Sequence, residues 1–291
     1  MRVAIIGSTG QLGRDLMQVF GGEAIGLSHQ DFDVTDSLSV TSVIQSLQPD
    51  WVINTAAFHR VDDCESNPAL AFAVNVLGAA NVARAAAGVK AGVVFFSTDY
   101  VFSGILYERG HPHTESDPPE PPNVYGVSKW AGEKLVRQAN PRHLIVRSAG
   151  LYGVVTSRKG WTFPELIIQK ARSGETLRVV SDQVTSPTFT YDLADKVKEL
   201  IDHNLAGLFH VTNSGECSWF EFACATLEMT GIGASIVPIN TAQAGRRAPR
   251  PPYSAMTSVR LLKGGLLPLR PWQRALKAYL ELKTGPQRTT L

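Results

Sequence analysis

The stretch from Arg2 to Gly13 constrains the fold more than any other part of the chain. Arg2-Val3-Ala4-Ile5-Ile6 is a short β-branched, apolar run that passes directly into Gly7-Ser8-Thr9-Gly10-Gln11-Leu12-Gly13. Leu12, Leu16, Val19 and Phe20 then recur at helical spacing. Strand, tight glycine turn and helix in immediate succession open a βαβ unit. The alternation continues with Ala24–Leu27, a helix near Ser37–Leu47, and Trp51-Val52-Ile53. An alanine-rich helix over about Ala69–Ala87 and a strand over Gly92–Phe96 follow. Strands this apolar, each followed by a helix, predict a parallel sheet buried on both faces.

The predicted fold is therefore α/β: a Rossmann-type, doubly wound parallel sheet with a smaller, irregular α/β C-terminal substrate domain. Residues 1–150, with a return to the sheet over about 176–212, form the dinucleotide-binding part. Residues of about 151–175 and 213–291 form the second. Ser103–Asn123 is proline-rich and reads as a loop, followed by a helix over about Val124–Gln138 and a strand at His143–Val146. Helices are expected at Phe163–Arg172, Tyr191–His203, Trp219–Met229 and Trp272–Leu282, and a strand at Leu208–Thr212.

Composition removes several classes of protein. Of 291 residues 44% are hydrophobic, enough for a large core, and 28 Lys and Arg against 26 Asp and Glu leave a charge of +2. That balance argues against a nucleic-acid binder. No apolar run approaches the roughly 18 residues of a membrane span, and the N-terminal run is short for a signal peptide. Three cysteines without ligand spacing argue against a disulfide framework and a zinc site. No metal, nucleic-acid or membrane partner is expected, and the expected location is cytoplasmic.

The glycine loop has a chemical purpose in that setting. Gly7, Thr9, Gly10, Gln11, Leu12 and Gly13 bring backbone N–H groups and a helix N-terminus to a pyrophosphate. In NAD-specific proteins an acid at the end of the second strand binds the adenosine ribose. Here that strand ends Gly26-Leu27-Ser28-His29, with Asp31 and Asp33 beyond it. NADPH is the expected cofactor, with NADH also usable.

Tyr125-Gly126-Val127-Ser128-Lys129 opens the helix after the long loop, and a spacing of four puts phenol and ammonium on one face. A cation beside a phenol stabilises the phenolate and makes it a working proton carrier. Thr98, at the end of the fourth strand, offers a hydroxyl to a substrate carbonyl, and Asp99 follows it. Tyr125, Lys129 and Thr98 are the expected catalytic residues.

Together these pieces resemble the extended short-chain dehydrogenase/reductases and, more narrowly, the dTDP-4-dehydrorhamnose reductase family. The resemblance spans nearly the whole chain. It rests also on Asp33-Val34-Thr35-Asp36, Asn54–Ala57, Asn75–Gly78, Ser97–Phe102, Asn123–Gly126, Asp182-Gln183, Ser186–Thr188, Ser218–Phe220 and Arg250–Ser254. The resemblance implies reduction of a 4-keto nucleotide sugar, with Tyr125 as proton donor, Lys129 as its activator and Thr98 orienting the carbonyl. Asp33 and Val34 would lie near adenine, Ala56, Ala57 and Phe58 along the cofactor, and Thr98 and Asp99 at the sugar. A 4-ketoreductase or epimerase/reductase on another nucleotide deoxysugar, or a non-catalytic, cofactor-holding regulatory subunit, stays open, as does monomer or homodimer. One departure stands out: where the family usually has Arg-Thr-Ser-Trp-Val-Tyr, this chain has Arg147-Ser148-Ala149-Gly150-Leu151-Tyr152, leaving open a wall of the sugar pocket.

Arg246, Arg247 and Arg250 lie in a segment without acids, Met229 to Leu280, and guanidinium groups suit a diphosphate. His111 and His113 are expected to be exposed in the proline-rich loop. Cys64 and Cys224 are expected to be small buried hydrophobes, and Trp219, Phe220 and Phe222 core.

Overall fold

The computed structural model describes residues 1–104, 111–155 and 160–284. Residues 105–110 of the expected Ser103–Asn123 loop lie outside that set. Five strands, β1 (Val3–Ile6), β2 (Ala24–Leu27), β3 (Trp51–Asn54), β4 (Gly92–Thr98) and β5 (His143–Ser148), and a sixth, Gly207–His210, form one sheet. Its order is Gly207–His210, β5, β4, β3, β1, β2, and every pairing is parallel. The chain runs from β1 to β2 on one side and resumes at β3 on the other. The carboxyl ends of β1 and β3 therefore flank a topological switch point, where open α/β sheets bind ligands.

Alternation along each strand divides the core in two. Val3, Ile5, Ile53, Val94, Leu144 and Val146 face one layer, covered by helix α1 (Gln11–Phe20) and the Thr190–Asp202 helix. Ala4, Ile6, Val52, Val93, Phe95 and Ile145 face the other, covered by α2 (Ser37–Leu47), Ala79–Gly88 and Val124–Ala139. Each such side chain, wholly removed from water, contributes about 1.5–3 kcal/mol. Asp36 starts α2 by accepting N–H bonds from Leu38 and Ser39, and proline at the first position starts the helix at Pro68.

Two expectations change here. The alanine-rich helix lies where expected, but against the expectation of no apolar run of membrane length, Pro68–Gly88 is long and apolar enough to cross a membrane; 56% of its apolar stretch is buried inside the protein. A π-helical turn, Ala73–Gly78, interrupts it. The return to the sheet also begins later than 176. Leu177–Val180 pairs in parallel with Ile236–Ile239 in the smaller unit, while the Thr190–Asp202 helix and Gly207–His210, and later the short Val259–Lys263 helix, rejoin the sheet layers.

The smaller unit is built from two-stranded pairs and three helices, Phe163–Arg172, Trp219–Thr230 and Trp272–Thr284. Capping boxes at Thr162 and Ser218 set the starts of the first two. Their core is aromatic: Tyr152, Phe189, Phe222, Trp272 and Tyr279. Phe222 is the expected core residue, whereas Trp219 and Phe220 are only half-buried. Cys64 is buried as expected; Cys224 is half-buried.

Candidate active site

The glycine loop closes β1 onto the first turn of α1 with no room to spare. Gly7 has φ +81°, and a Cβ there would lie 2.4 Å from Thr55 Oγ1. A Cβ on Gly13 would lie 2.1 Å from the Gly7 carbonyl. Gly10 precedes the helix without any side-chain cap, so the first-turn N–H groups stay available to an anion. Gln11 adds a buried amide nitrogen that has no hydrogen-bond partner among the described residues. These groups at the switch point fit a dinucleotide pyrophosphate.

Past β3, Ala56, Ala57 and Phe58 form a half-buried strip along the same crevice. Asn75, in the π-helical turn, holds that strip. Its Oδ1 accepts from the Phe58 N–H at 2.9 Å, and its Nδ2 donates to Phe58 O at 3.0 Å and to Ser128 Oγ at 2.9 Å. Ser128 sits between Tyr125 and Lys129, so one buried amide ties the cofactor strip to the helix bearing both. Asn75 stands in the family-like sequence pattern, yet its spacing to Phe58 and Ser128 gives no hint of the contact.

At the adenosine end, Val34 is buried and Asp33 accepts from Thr35 N and Oγ1, both at 2.8 Å, which holds its carboxyl below the usual range. Asp31 departs from its expected position. It folds back to accept from Ser28 N at 2.6 Å and Ser28 Oγ at 2.9 Å, bringing a carboxylate to the end of β2 that linear spacing placed beyond it.

Thr98 ends β4 and Tyr125 lies in the first turn of the Val124–Ala139 helix, and the Thr98 hydroxyl is close enough to act on the phenol. Asn123 caps that helix through Gly126 N at 2.8 Å. Burial first, then the charge of Asp99, pushes the Tyr125 phenol up from its ordinary value, with Thr98 opposing. The Tyr100 ring meets Tyr125 edge-on at 6.1 Å. The expectation of a phenol lowered by its lysine is not met in the protein alone, where the phenol is held protonated.

Lys129 is 3% exposed. Its Nζ lies 4.1 Å above the Phe95 ring, with no hydrogen-bond acceptor among the described residues. Burial lowers it to about 7, and Glu133 one turn on opposes that shift. A buried ammonium without an acceptor at the rim of a dinucleotide crevice is suited to ribose hydroxyls.

Asp99 does not open toward a sugar. It is 4% exposed, with Oδ1 accepting from Thr98 Oγ1 at 3.0 Å and Oδ2 from Ser254 Oγ at 2.6 Å and Thr185 Oγ1 at 3.3 Å. No cation neutralises it among the described residues, and burial raises it to about 6 against those three bonds. Thr185 and Ser254 come from the smaller unit; no local pattern connects them to Asp99.

Beneath this lies a second buried polar group. Arg147 donates through Nε and Nη2 to Glu133 at 2.8 and 2.7 Å, and Ser97 Oγ donates to Glu133 at 2.5 Å. His113, expected to be exposed, is 5% exposed and stacks on Phe102 at 4.0 Å; His111 is exposed as expected.

The three arginines separate in the structure. Arg250 is bound to Asp62 at 3.0 Å and to Ala248 O at 3.0 Å, and Arg247 donates to Ser66 Oγ. These bonds, with Asn123 Nδ2 to Pro249 O at 2.8 Å, strap residues 247–250 beside the Tyr125 helix. Arg246 is exposed and makes no hydrogen bond among the described residues, though its charge, like that of Arg250, lowers the Asp62 carboxyl. Gly150 is crowded by residues from elsewhere in the chain: a Cβ there would lie 3.4 Å from Trp219 Cη2 and 3.2 Å from Pro187 Cα.

Residues 1–284 match the family model described as RmlD substrate binding domain. The chain is 38% identical to the spore coat polysaccharide biosynthesis protein SpsK of Bacillus subtilis, over 98% of both chains. It is 37% identical to the dTDP-4-dehydrorhamnose reductase of Mycolicibacterium smegmatis, covering 98% of this chain and 86% of that one. Among solved structures, the dTDP-4-dehydrorhamnose reductase of Bacillus anthracis in complex with NADP aligns with a TM-score of 0.91 at 36% identity, covering 96% of this chain and 98% of that one.

Proposed function

From this chain's membership of the RmlD substrate binding domain family, we propose that it is an NADPH-dependent reductase of dTDP-4-dehydro-L-rhamnose, forming dTDP-L-rhamnose. The meeting of Thr98 and Tyr125 at the carboxyl end of β4, beside a dinucleotide crevice, carries the reading. Relatives named for this reaction and a similar structure holding NADP support it.

NADPH, when bound, supplies hydride to carbon 4 of the sugar. Gly10, Gln11 and Leu12 hold its pyrophosphate, Ala56–Phe58 line its path, and Lys129 takes its ribose hydroxyls. Asp31 at the end of β2 offers a ribose acceptor, which keeps NADH usable. Tyr125, kept protonated by burial, gives its proton to the oxygen of the reduced carbonyl. Arg246, exposed beside that strap and free of hydrogen bonds among the described residues, reaches for the diphosphate. Trp219 replaces the missing wall at Gly150, so the pocket still closes on a deoxyhexose.

The test is product analysis after incubation with NADPH and dTDP-4-dehydro-L-rhamnose, alongside Tyr125→Phe. Turnover in the variant is expected to fall by about two orders of magnitude or more, with cofactor affinity kept. Near-normal turnover would remove the role given to Tyr125. Oxidation of NADPH only with a different 4-keto deoxysugar would move the specificity while keeping the reaction.

A further inference from the structure

Thr98 has one proton, and the structure shows where it goes. Its Oγ1 donates to Asp99 Oδ1 at 3.0 Å while accepting the Tyr100 N–H at 3.1 Å, and it stands beside the Tyr125 phenol, on which it acts. With Asp99 ionised, Thr98 faces Tyr125 as an acceptor and has no proton for the substrate. With Asp99 protonated, the chain of hydroxyls can point the other way. From this geometry we infer that Asp99 is a positioning residue that reloads Tyr125 through Thr98. This rests on the reduction proposed above.

The step balances. Once Tyr125 has lost its proton to the sugar oxygen, the phenolate takes the Thr98 hydroxyl proton, and Thr98 takes the proton of the Asp99 carboxyl. The resulting Asp99 carboxylate is held by Thr185 and Ser254, and it regains a proton from water after product leaves. One proton from solution is consumed per sugar reduced, as the reduction requires.

The surroundings suit a group that changes state. Asp99 faces the hydroxyls of Thr98, Thr185 and Ser254 and the phenols of Tyr100 and Tyr125. The Cys64 thiol lies behind Tyr125, and the Arg250–Asp62 pair behind Tyr100. Among the described residues no counter-ion locks its charge, and burial raises its carboxyl to about 6. Ser254 is anchored independently, through its N–H to Val184 O at 2.8 Å.

Three proteins test this: the intact chain, Asp99→Asn and Ser254→Ala. In the intact chain kcat is expected to fall as pH rises through the titration of Asp99. In Asp99→Asn that step should vanish and kcat near pH 6 should drop about tenfold or more, with the KM for NADPH kept. Ser254→Ala removes a bond that favours the charged carboxylate, so the step should move to higher pH. Infrared pH-difference spectra without substrate provide the second readout: a protonated-carboxyl band lost in Asp99→Asn and shifted upward in Ser254→Ala. Identical pH profiles in all three proteins, with turnover intact, would overturn the relay. A band that behaves as expected in a chain inactive on the sugar would instead overturn the proposed reduction.

Discussion

Two carboxylates are buried at the same end of the sheet and are satisfied in opposite ways. Glu133 meets the Arg147 guanidinium through two bonds and the Ser97 hydroxyl through a third. Asp99 meets hydroxyls alone, from Thr98, Thr185 and Ser254. Both are about equally removed from solvent, at 5% and 4% exposure. The difference lies in what answers the charge. A guanidinium makes the first a brace between β4, β5 and the helix carrying Tyr125. Hydroxyls leave the second with its desolvation incompletely offset, so its proton sits within reach of physiological pH.

The contrast is most exposed by breaking the brace. Glu133→Gln strands a buried guanidinium, and the expected loss is about 3–5 kcal/mol in urea unfolding. Replacing both partners with apolar residues of similar size, Glu133→Leu with Arg147→Met, should recover most of it. A loss below about 1 kcal/mol in the single variant would make the two carboxylates energetically alike.

Asp99→Asn should behave differently because it strands no cation. The carboxyl rises from 3.8 to about 6 on folding, so between those values the folded state holds the extra proton. Stability of the intact chain therefore falls as pH rises through that window, and the deficit persists above it. The amide lacks this penalty. Relative to the intact chain, Asp99→Asn should gain on the order of 2 kcal/mol between about pH 4 and pH 7, read from unfolding midpoints at both. A loss matching that of Glu133→Gln would break the comparison.

Asp15 extends the contrast with an effect no larger than that at Asp99. It lies in α1, 6% exposed, with Oδ2 unpartnered, and burial raises it to about 6 against a hydrogen bond from Thr190. The sign is the same as for Asp99. Asp15→Asn should likewise stabilise by on the order of 2 kcal/mol at neutral pH, fading below about pH 4. Thermal unfolding at the two pH values checks it; destabilisation at neutral pH would mean the carboxylate has a cation that the contacts do not show.

The legibility of this molecule in its sequence follows the range of the interactions. β1, the glycine loop and α1 are contiguous, and steric demands of a few residues on one another are written locally. Tyr125 and Lys129 share a helical turn, so their common face could be read from spacing. Asp31 was misplaced because a three-residue turn sends its carboxylate back to Ser28, a reversal that linear distance hides. His113 was misjudged because a ring stacked on Phe102 is buried by a distant segment, not by its own loop. Thr185 and Ser254 were beyond reach altogether.

The order of apolar runs and glycines along the chain was enough to specify a buried parallel sheet with a phosphate loop at its first turn, since those elements follow from neighbours in sequence. Which hydroxyls surround Asp99, which arginines remain free and what stands against Gly150 were settled only when the smaller unit packed onto the sheet. Those contacts join residues far apart in the chain, and burial, which decides the charge state of each group, is a property of the assembled protein alone.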